Sequence, residues 1–361
     1  MTASFTRRVV GWTLVSVLTV LVGIGLWKTS ASRGRKCVAV VRDCRGVMGT
    51  DASLVAVVPV GQVGRAKQWL REAEAELRSV EAHMSTWITG TEISTLNGAG
   101  AGQFVPLSAE SLEVLHAARD AHVATDGAFD VTCRPLVELW RRAAQRGAPP
   151  SESELADARD ASHWSLIELT DTGAVKRRDS ARVDLGGIAK GRAIDRAADV
   201  LRAAGVSGAM VDVGGDLVCF GRPATGEKWS IDVRNPFGPG KMAAFEVTEA
   251  SVCTSGNYAR FAEIAGVRYS HIVDPRNGRP VDSAVSVTVL AATAMTADAW
   301  ATALSVLGPA GVDRLPDGVE AMIVVGTAVD HHVFRTPGFH SRCSLREHTP
   351  VRGANRDIGR P

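Results

Sequence analysis

The segment "YSHIVDPRNGRPV", residues 269–281, carries Ser270, His271, Asp274 and Arg276 on one short stretch between two expected strands. Histidine gains and loses a proton near neutral pH, so His271 is a candidate general base. The spacing predicts a strand ending at Val273, a turn opened by Asp274-Pro275 and a tight turn at Asn277-Gly278, which hold His271 on a short element closed by a hairpin-type bend. A histidine with both ring nitrogens satisfied in a half-buried strand gives the same pattern. The neighbours must decide.

Two further segments carry chemistry. In "ATAMTADAWATALSVLG", residues 292–308, Thr296 is placed to cap a helix in which Asp298 and Thr302 share one face. A carboxylate and a hydroxyl among small alanines suit a hard cation such as Mg²⁺, which takes one or two carboxylates and completes its shell with water and substrate phosphate. Asp298 in a first turn also complements the helix dipole with no cation at all. In "ARVDLGGIAKGRAIDRAADVL", residues 181–201, Asp184 is expected to end a strand. Gly186-Gly187 lets backbone approach a ligand, and Lys190 opens a helix, a combination that implies a phosphate cradle. A solvated lysine on a glycine-rich turn is the alternative. The segment is neither a P-loop nor GxGxxG. "VDVGGD" repeats the device at Gly214-Gly215 with Asp216.

These residues need a scaffold. The stretch "CRGVMGTDASLVAVVP" predicts a first strand pair, and "GRAKQWLREAEAELRSVEAHMS" an amphipathic helix with Trp69, Leu70, Ala73, Leu77 and Val80 on its apolar face. "SAESLEVLHAARDAHVATDG" predicts a second helix, capped by Ser108 and stopped at Gly127, with Ser111 where a full capping box needs Glu or Gln. "RPLVELWRRAAQRG" predicts a third, and "APPSESELADARDAS" an exposed insertion or a small helix start. Strand-like runs follow in "SLIELTD", "GAMVDVGGDLVCFG", "KWSIDVRNP", "AAFEVTEASVCTSG", "RYSHIVD", "SVTVLAA" and "EAMIVVG". Strands in succession with helices between groups of them predict an α+β fold with mainly antiparallel sheet.

The chain has 361 residues, 45% of them hydrophobic, enough for one large or two ordinary domains. Its net charge of +2 is interspersed, which leaves no electrostatic footprint for nucleic acid. Six cysteines without a CxxC pair exclude zinc-type spacing, and Cys133, Cys219 and Cys253 sit in apolar contexts that suit buried thiols. An uncharged run from Val9 to Trp27 approaches the roughly 20 residues that span a bilayer. We expect an uncleaved membrane anchor, with cleavage near Thr29 to Ala31 as the alternative. Arg7 and Arg8 before the run, against Lys28, Arg33, Arg35 and Lys36 after it, leave the orientation open by charge. The sequence before Cys37 lacks the small apolar residues of a lipidation site. The expected organisation is an anchor and linker over residues 1–36, a globular domain over 45–340, whose bounds follow the resemblance given next, and a mobile tail over 341–361.

Taken together, "MGT" at 48–50, "MSTWITGTEISTLN" at 84–97, "GAFDVTCRPLVELW" at 127–140, "DLGGIAKGRAID", "VDVGGD", "TSGNYARF" at 254–261, "SHIVDPRNGRPV" and "TADAWATAL" occur in one order. In that order the chain resembles the FAD:protein FMN transferases of the ApbE family, with an ApbE-like (T-fold-like) fold. The resemblance implies FAD as donor substrate and Mg²⁺ at its pyrophosphate, bound by the Gly187 carbonyl, Asp298 and Thr302. It implies that Met48, Trp87, Ala128, Phe129, Asp130, Asp184, Lys190 and Ile272 contact FAD and that His271 is the catalytic histidine. Trp87 stands where the family usually has Tyr, and Asn257 where Asp is frequent. The implied reaction moves FMN to a threonine or serine hydroxyl of an acceptor flavoprotein and releases AMP, on the extracytoplasmic side of the cytoplasmic membrane. Mg²⁺-dependent hydrolysis of FAD to FMN and AMP, and FAD binding without turnover, are the alternatives.

Overall fold

The computed structural model describes residues 36–257 and 261–342, with the short strands Arg346–Glu347 and Arg356–Asp357. The apolar run Val9–Trp27, residues 258–260 of "TSGNYARF", Cys343 and most of the tail lie outside the described residues. Among the described residues no helix is long and apolar enough to cross a membrane.

A nine-stranded sheet organises the described chain. Its order is Cys37–Val47, Thr50–Pro59, Gly208–Val213, Asp216–Gly221, Ala250–Gly256, Ser286–Ala291, Glu320–Gly326, His331–Arg335 and Arg356–Asp357. Every pairing in it is antiparallel except the last. Side chains of a strand point alternately to opposite faces, and here both faces are covered. From Thr50–Pro59, Leu54, Ala56 and Val58 enter the helix-side core, while Val55 and Val57 enter the core on the other side. Gly208–Val213 and Ser286–Ala291 are consequently buried at every position, which is why these strands read as continuous apolar runs.

The α-helices among the described residues are α1 (Val63–Met84), α2 (Glu92–Gly98), α3 (Ala109–Ala124), α4 (Arg134–Arg146), α5 (Glu152–Asp160), α6 (Ala189–Ala203), α7 (Ala294–Leu307) and α8 (Pro337–Arg342). Helices α1, α3, α6 and α7 contribute to the core on one sheet face. Trp229–Arg234 and Lys241–Val247 pair antiparallel and cover the opposite face. α4 and α5 form a separate small core with Ile264 and Val273. The α+β expectation with mainly antiparallel sheet matches this architecture.

Several local expectations need correction. "RYSHIVD" is not one strand: it breaks at His271 into Val267–Ser270, paired with Phe261–Ile264, and Val273–Asp274, paired with Arg279–Pro280. "APPSESELADARDAS" contains a complete helix, α5, because Ser151 and Glu154 form a reciprocal capping box and Leu155 and Ala158 are buried. The second predicted helix, α3, stops at Ala124, before Gly127. Asp184 ends no strand; residues 181–185 run without regular structure. Finally, α7 starts before Thr296, because Thr293 caps it by accepting the Thr296 amide at 3.2 Å.

Candidate active site

The loop after α3 is shaped by its own short polar side chains. Thr125 Oγ1 donates to the Ala121 carbonyl at 2.7 Å and accepts the Phe129 amide at 3.0 Å. Asp130 Oδ1 accepts the Thr132 amide at 2.7 Å and its hydroxyl at 2.6 Å. These bonds fold Ala128, Phe129 and Asp130 into a compact buried turn. The Val131 carbonyl then accepts the Asp184 amide at 2.7 Å, which brings the glycine loop alongside. Asp184 Oδ1 in turn accepts the Gly186 amide at 2.9 Å.

Gly187 faces α7. A Cβ placed on it would stand 3.0 Å from Thr302 Oγ1 and 3.3 Å from the Phe129 ring, so a side chain there would fill the space the loop leaves. Asp298, one turn before Thr302, is only 4% exposed, and its Oδ2 accepts the Gly191 amide at 3.0 Å. It therefore sits in the interior of α7 rather than in the first turn. Burial, and then the negative charge of Asp216, push its carboxyl up to about 7 against the pull of Lys190. Lys190 Nζ pairs with Asp216. Burial opposes its charge, but Asp216 and Asp298 outweigh that and hold it protonated. Asp216 is anchored by the Thr254 amide, donated to its Oδ1 at 2.8 Å.

A cleft of ≈ 60 Å³ is lined by Ala128, Phe129, Asp130, Asp184, Gly187 and Thr302, together with Cys133, Val273 and Pro275. Six residues nominated from sequence thus converge on one space. Ile272 lies beside it, packed with Ala128, Val281 and Val306. Met48 holds a left-handed turn (φ 51°) between the first two strands, next to the Gly214 turn, whose amide donates to the Asp51 carbonyl at 3.0 Å. Trp87 is 68% exposed, with the Arg141 guanidinium 4.6 Å and that of Arg134 5.5 Å from its ring centre. Met48, Trp87, Lys190, Ile272 and Asp298 are not among the residues lining the cleft itself.

His271 is exposed at the bend between two hairpins, close in sequence to the cleft-lining Val273. The turn beyond it is firmly pinned. Asp274 accepts from the Arg276 amide and guanidinium, and Trp140 Nε1 donates to the Gly278 carbonyl at 2.8 Å. Gly278 adopts φ +75°, and a Cβ there would stand 2.9 Å from side-chain atoms of Leu136, Leu155 and Arg159. Asp274 and the Asn277-Gly278 turn therefore shape the segment, as expected from sequence.

Sequence reasoning missed the residues that brace the site. Asn97 donates Nδ2 to the Val183 carbonyl at 2.8 Å and accepts the Val183 amide at 2.7 Å. Lys176, fully buried, donates to the carbonyls of Asn97, Asp179 and Ala181. Both fix the approach to Asp184. A polar residue late in an apolar-patterned helix was the available signal for Asn97; Lys176 reads as a surface lysine in "AVKRRD". Among the described cysteines none forms a disulfide; Cys219 and Cys253 are buried, and Cys133 is half-buried in the cleft wall.

The fold and the cleft define a mixed α/β protein whose antiparallel sheet supports a glycine loop, a buried carboxylate and a paired lysine beside one cleft, whose mostly apolar wall carries Asp130, Asp184 and Thr302. The ApbE family model matches residues 48–323, and the chain belongs to the ApbE family. It is similar to the FAD:protein FMN transferase of Vibrio cholerae serotype O1, 35% identical over 267 residues that make up 72% of this chain and 79% of that one. To the Escherichia coli K12 protein of the same name it is 30% identical over 264 residues, 70% of this chain and 75% of that one. Among solved structures, the flavin transferase ApbE from Vibrio cholerae superposes with a TM-score of 0.74 at 29% identity, covering 85% of this chain and 99% of that one. The ApbE protein of Thermotoga maritima gives 0.72 at 28% identity, over 84% and 99%.

Proposed function

We propose that this chain transfers FMN from FAD to a threonine or serine hydroxyl of a target protein and releases AMP. The observation that carries the reading is the convergence of Ala128, Phe129, Asp130, Asp184, Gly187 and Thr302 on one cleft in a chain of this family.

The donor set suits Mg²⁺. Asp298 is a buried carboxylate one turn from the Thr302 hydroxyl on α7, and Gly187 abuts Thr302, so three oxygen donors of the kind a hard cation takes lie on neighbouring elements. Gly187 through its carbonyl, Asp298 and Thr302 would hold the ion. When bound, it would supply charge neutralisation at the FAD pyrophosphate.

The chain's own residues account for the rest. Phosphoryl transfer mostly needs positioning and neutralisation. Asp130 and Asp184 orient FAD, the small Gly186-Gly187 backbone admits its phosphates, and Lys190 adds positive charge there. The acceptor oxygen attacks the FMN phosphorus, the pyrophosphate P–O bond breaks, and AMP leaves with the bonding pair. His271, exposed where a protein acceptor can reach it, takes the hydroxyl proton as general base. The run Val9–Trp27 would keep this domain at the extracytoplasmic face of the membrane.

Intact-mass spectrometry of an acceptor protein incubated with the enzyme, FAD and Mg²⁺ tests the reading. One FMN phosphoester gained per AMP released is expected. AMP and free FMN without an adduct, across a panel of acceptor sequences, would replace it with FAD hydrolysis.

A further inference from the structure

Asp195 takes no part in the reaction described above, yet it makes the tightest polar contacts between the two helices that flank the site. α6 begins at Ala189, directly after the Gly187-Ile188 step, so the Gly187 carbonyl and the Asp195 carboxylate belong to one continuous loop-and-helix stretch. From that stretch Asp195 reaches the start of α7. Its Oδ1 accepts the Ala294 amide at 2.7 Å and its Oδ2 the Met295 amide at 2.9 Å.

The same stretch touches α7 further along. The Gly191 amide donates to Asp298 Oδ2 at 3.0 Å. A Cβ on Gly191 would stand 2.2 Å from the Ala294 carbonyl oxygen, so the two helices meet backbone to backbone. Gly187 abuts Thr302. Contacts at the start of α7, at Asp298 and at Thr302 together fix both its height and its rotation against the glycine loop. The local cap, Thr293, takes only the Thr296 amide, so Asp195 supplies from another helix the partners of the two amides before it. Burial pushes the Asp195 carboxyl up to about 6 even though two amides pull it down, so the fold tolerates a costly group at this place.

We propose that Asp195 is a positioning residue for the cation-holding face of α7: it sets that helix against the glycine loop so that the Gly187 carbonyl, Asp298 and Thr302 converge. The inference rests on the reading of these three groups as cation ligands. It assigns to Asp195 an effect on metal affinity that is separate from FAD binding and from helix stability.

Mn²⁺ serves as the probe, with free Mn²⁺ counted by its electron paramagnetic resonance signal in titrations of the full-length protein in detergent. Asp195→Asn keeps one acceptor oxygen but turns an amide NH₂ toward the second backbone N–H. We expect its Mn²⁺ dissociation constant to rise tenfold or more, while metal-free FAD binding, read by flavin fluorescence, stays within twofold of wild type. Asp195→Glu, which keeps both oxygens on a longer arm, is expected to move in the same sense and serves if the asparagine variant does not fold. Thr293→Ala removes the ordinary cap and should lower Tm while leaving Mn²⁺ affinity within twofold. Asp298→Asn should abolish specific Mn²⁺ binding.

Mn²⁺ affinity unchanged in the Asp195 variants but lost in Asp298→Asn would overturn the positioning role and leave the ligand reading intact. An equal loss in Thr293→Ala would reduce Asp195 to a helix stabiliser and overturn the role as well. Equal Mn²⁺ binding by wild type and Asp298→Asn would overturn the ligand reading itself, and the inference with it.

Discussion

Asp130 divides its two oxygens between neighbours of different kinds. Oδ1 is held by Thr132, while Oδ2 faces His122 Nδ1 at 3.2 Å, in the last turn of α3, where the helix dipole also favours a cation. The Asp130 carboxylate beside Nδ1 raises the His122 pKa above the usual 6.5, against an opposing effect of burial. A raised folded value means that the imidazolium contributes its stability fully below about 6.5 and loses it as pH climbs through the folded pKa. His122→Asn should therefore cost more stability at pH 5.5 than at pH 8.5, as read by urea unfolding at about those two pH values. An equal cost at both would show that the pair does not titrate as a unit. Asn97 acts on the other wall of the cleft. Asn97→Ala strips the buried Val183 amide and carbonyl of their partners, and an expected loss of about 2–4 kcal/mol in urea unfolding follows from leaving such groups unsatisfied. A loss below about 0.5 kcal/mol would mean that water replaces the side chain.

At the scale of elements, the segment that presents His271 depends on how α4 and α5 hold its turn. Gly278→Ala meets a φ of +75° and three side chains at 2.9 Å, so the turn must shift and carry the His271 bend with it. We expect a destabilisation of about 1–3 kcal/mol together with a fall in kcat that exceeds any change in the KM for FAD, measured by thermal unfolding and steady-state kinetics. Ser151→Ala breaks the capping box of α5 and should cost about 1 kcal/mol while kcat stays within twofold. A matching fall in kcat for Ser151→Ala would trace the first effect to general loosening rather than to the turn. These elements also mark what could be read from the sequence. α1 and α4, with strong apolar periodicity, and the paired strands around Gly214-Gly215 were legible because local pattern decides them. The start of α7 was not, because Thr293 and Thr296 both read as caps before the same apolar run, and it is Thr293 that accepts the Thr296 amide. The break at His271 escaped for another reason: the flanking strands pair with different partners, and nothing in "RYSHIVD" encodes that switch. Of the six cleft residues, Asp184, Gly187 and Thr302 were nominated by their own segments, with an ordinary turn or helix face as the alternative, whereas Ala128, Phe129 and Asp130 were legible only through the ordered motifs.

On the scale of the whole molecule, the described fold contains both the support and the site. The strand Cys37–Val47 pairs with Thr50–Pro59 along its length apart from a break between Cys44 and Val47, and both faces of the sheet are covered by elements that follow it in the chain. The cleft is lined entirely from between Ala128 and Val306. Among the described residues the core and the cleft are assembled from Cys37 onward, so a chain without the apolar run Val9–Trp27 can be tested by itself. A chain starting at Lys36 should be soluble without detergent, unfold cooperatively, and bind FAD with an affinity within about twofold of the full-length protein. The full-length protein should stay in the membrane pellet after carbonate washing, because a run of roughly 20 apolar residues is held by the bilayer rather than by surface charge. Carbonate-extractable protein beginning near Ser32 would remove the anchor and retain export. Side is a separate question, since the flanking basic residues favour neither orientation. A reporter fused after Phe339 answers it: we expect activity from a reporter that works only outside the cytoplasm, and activity confined to a cytoplasm-dependent reporter would reverse the topology.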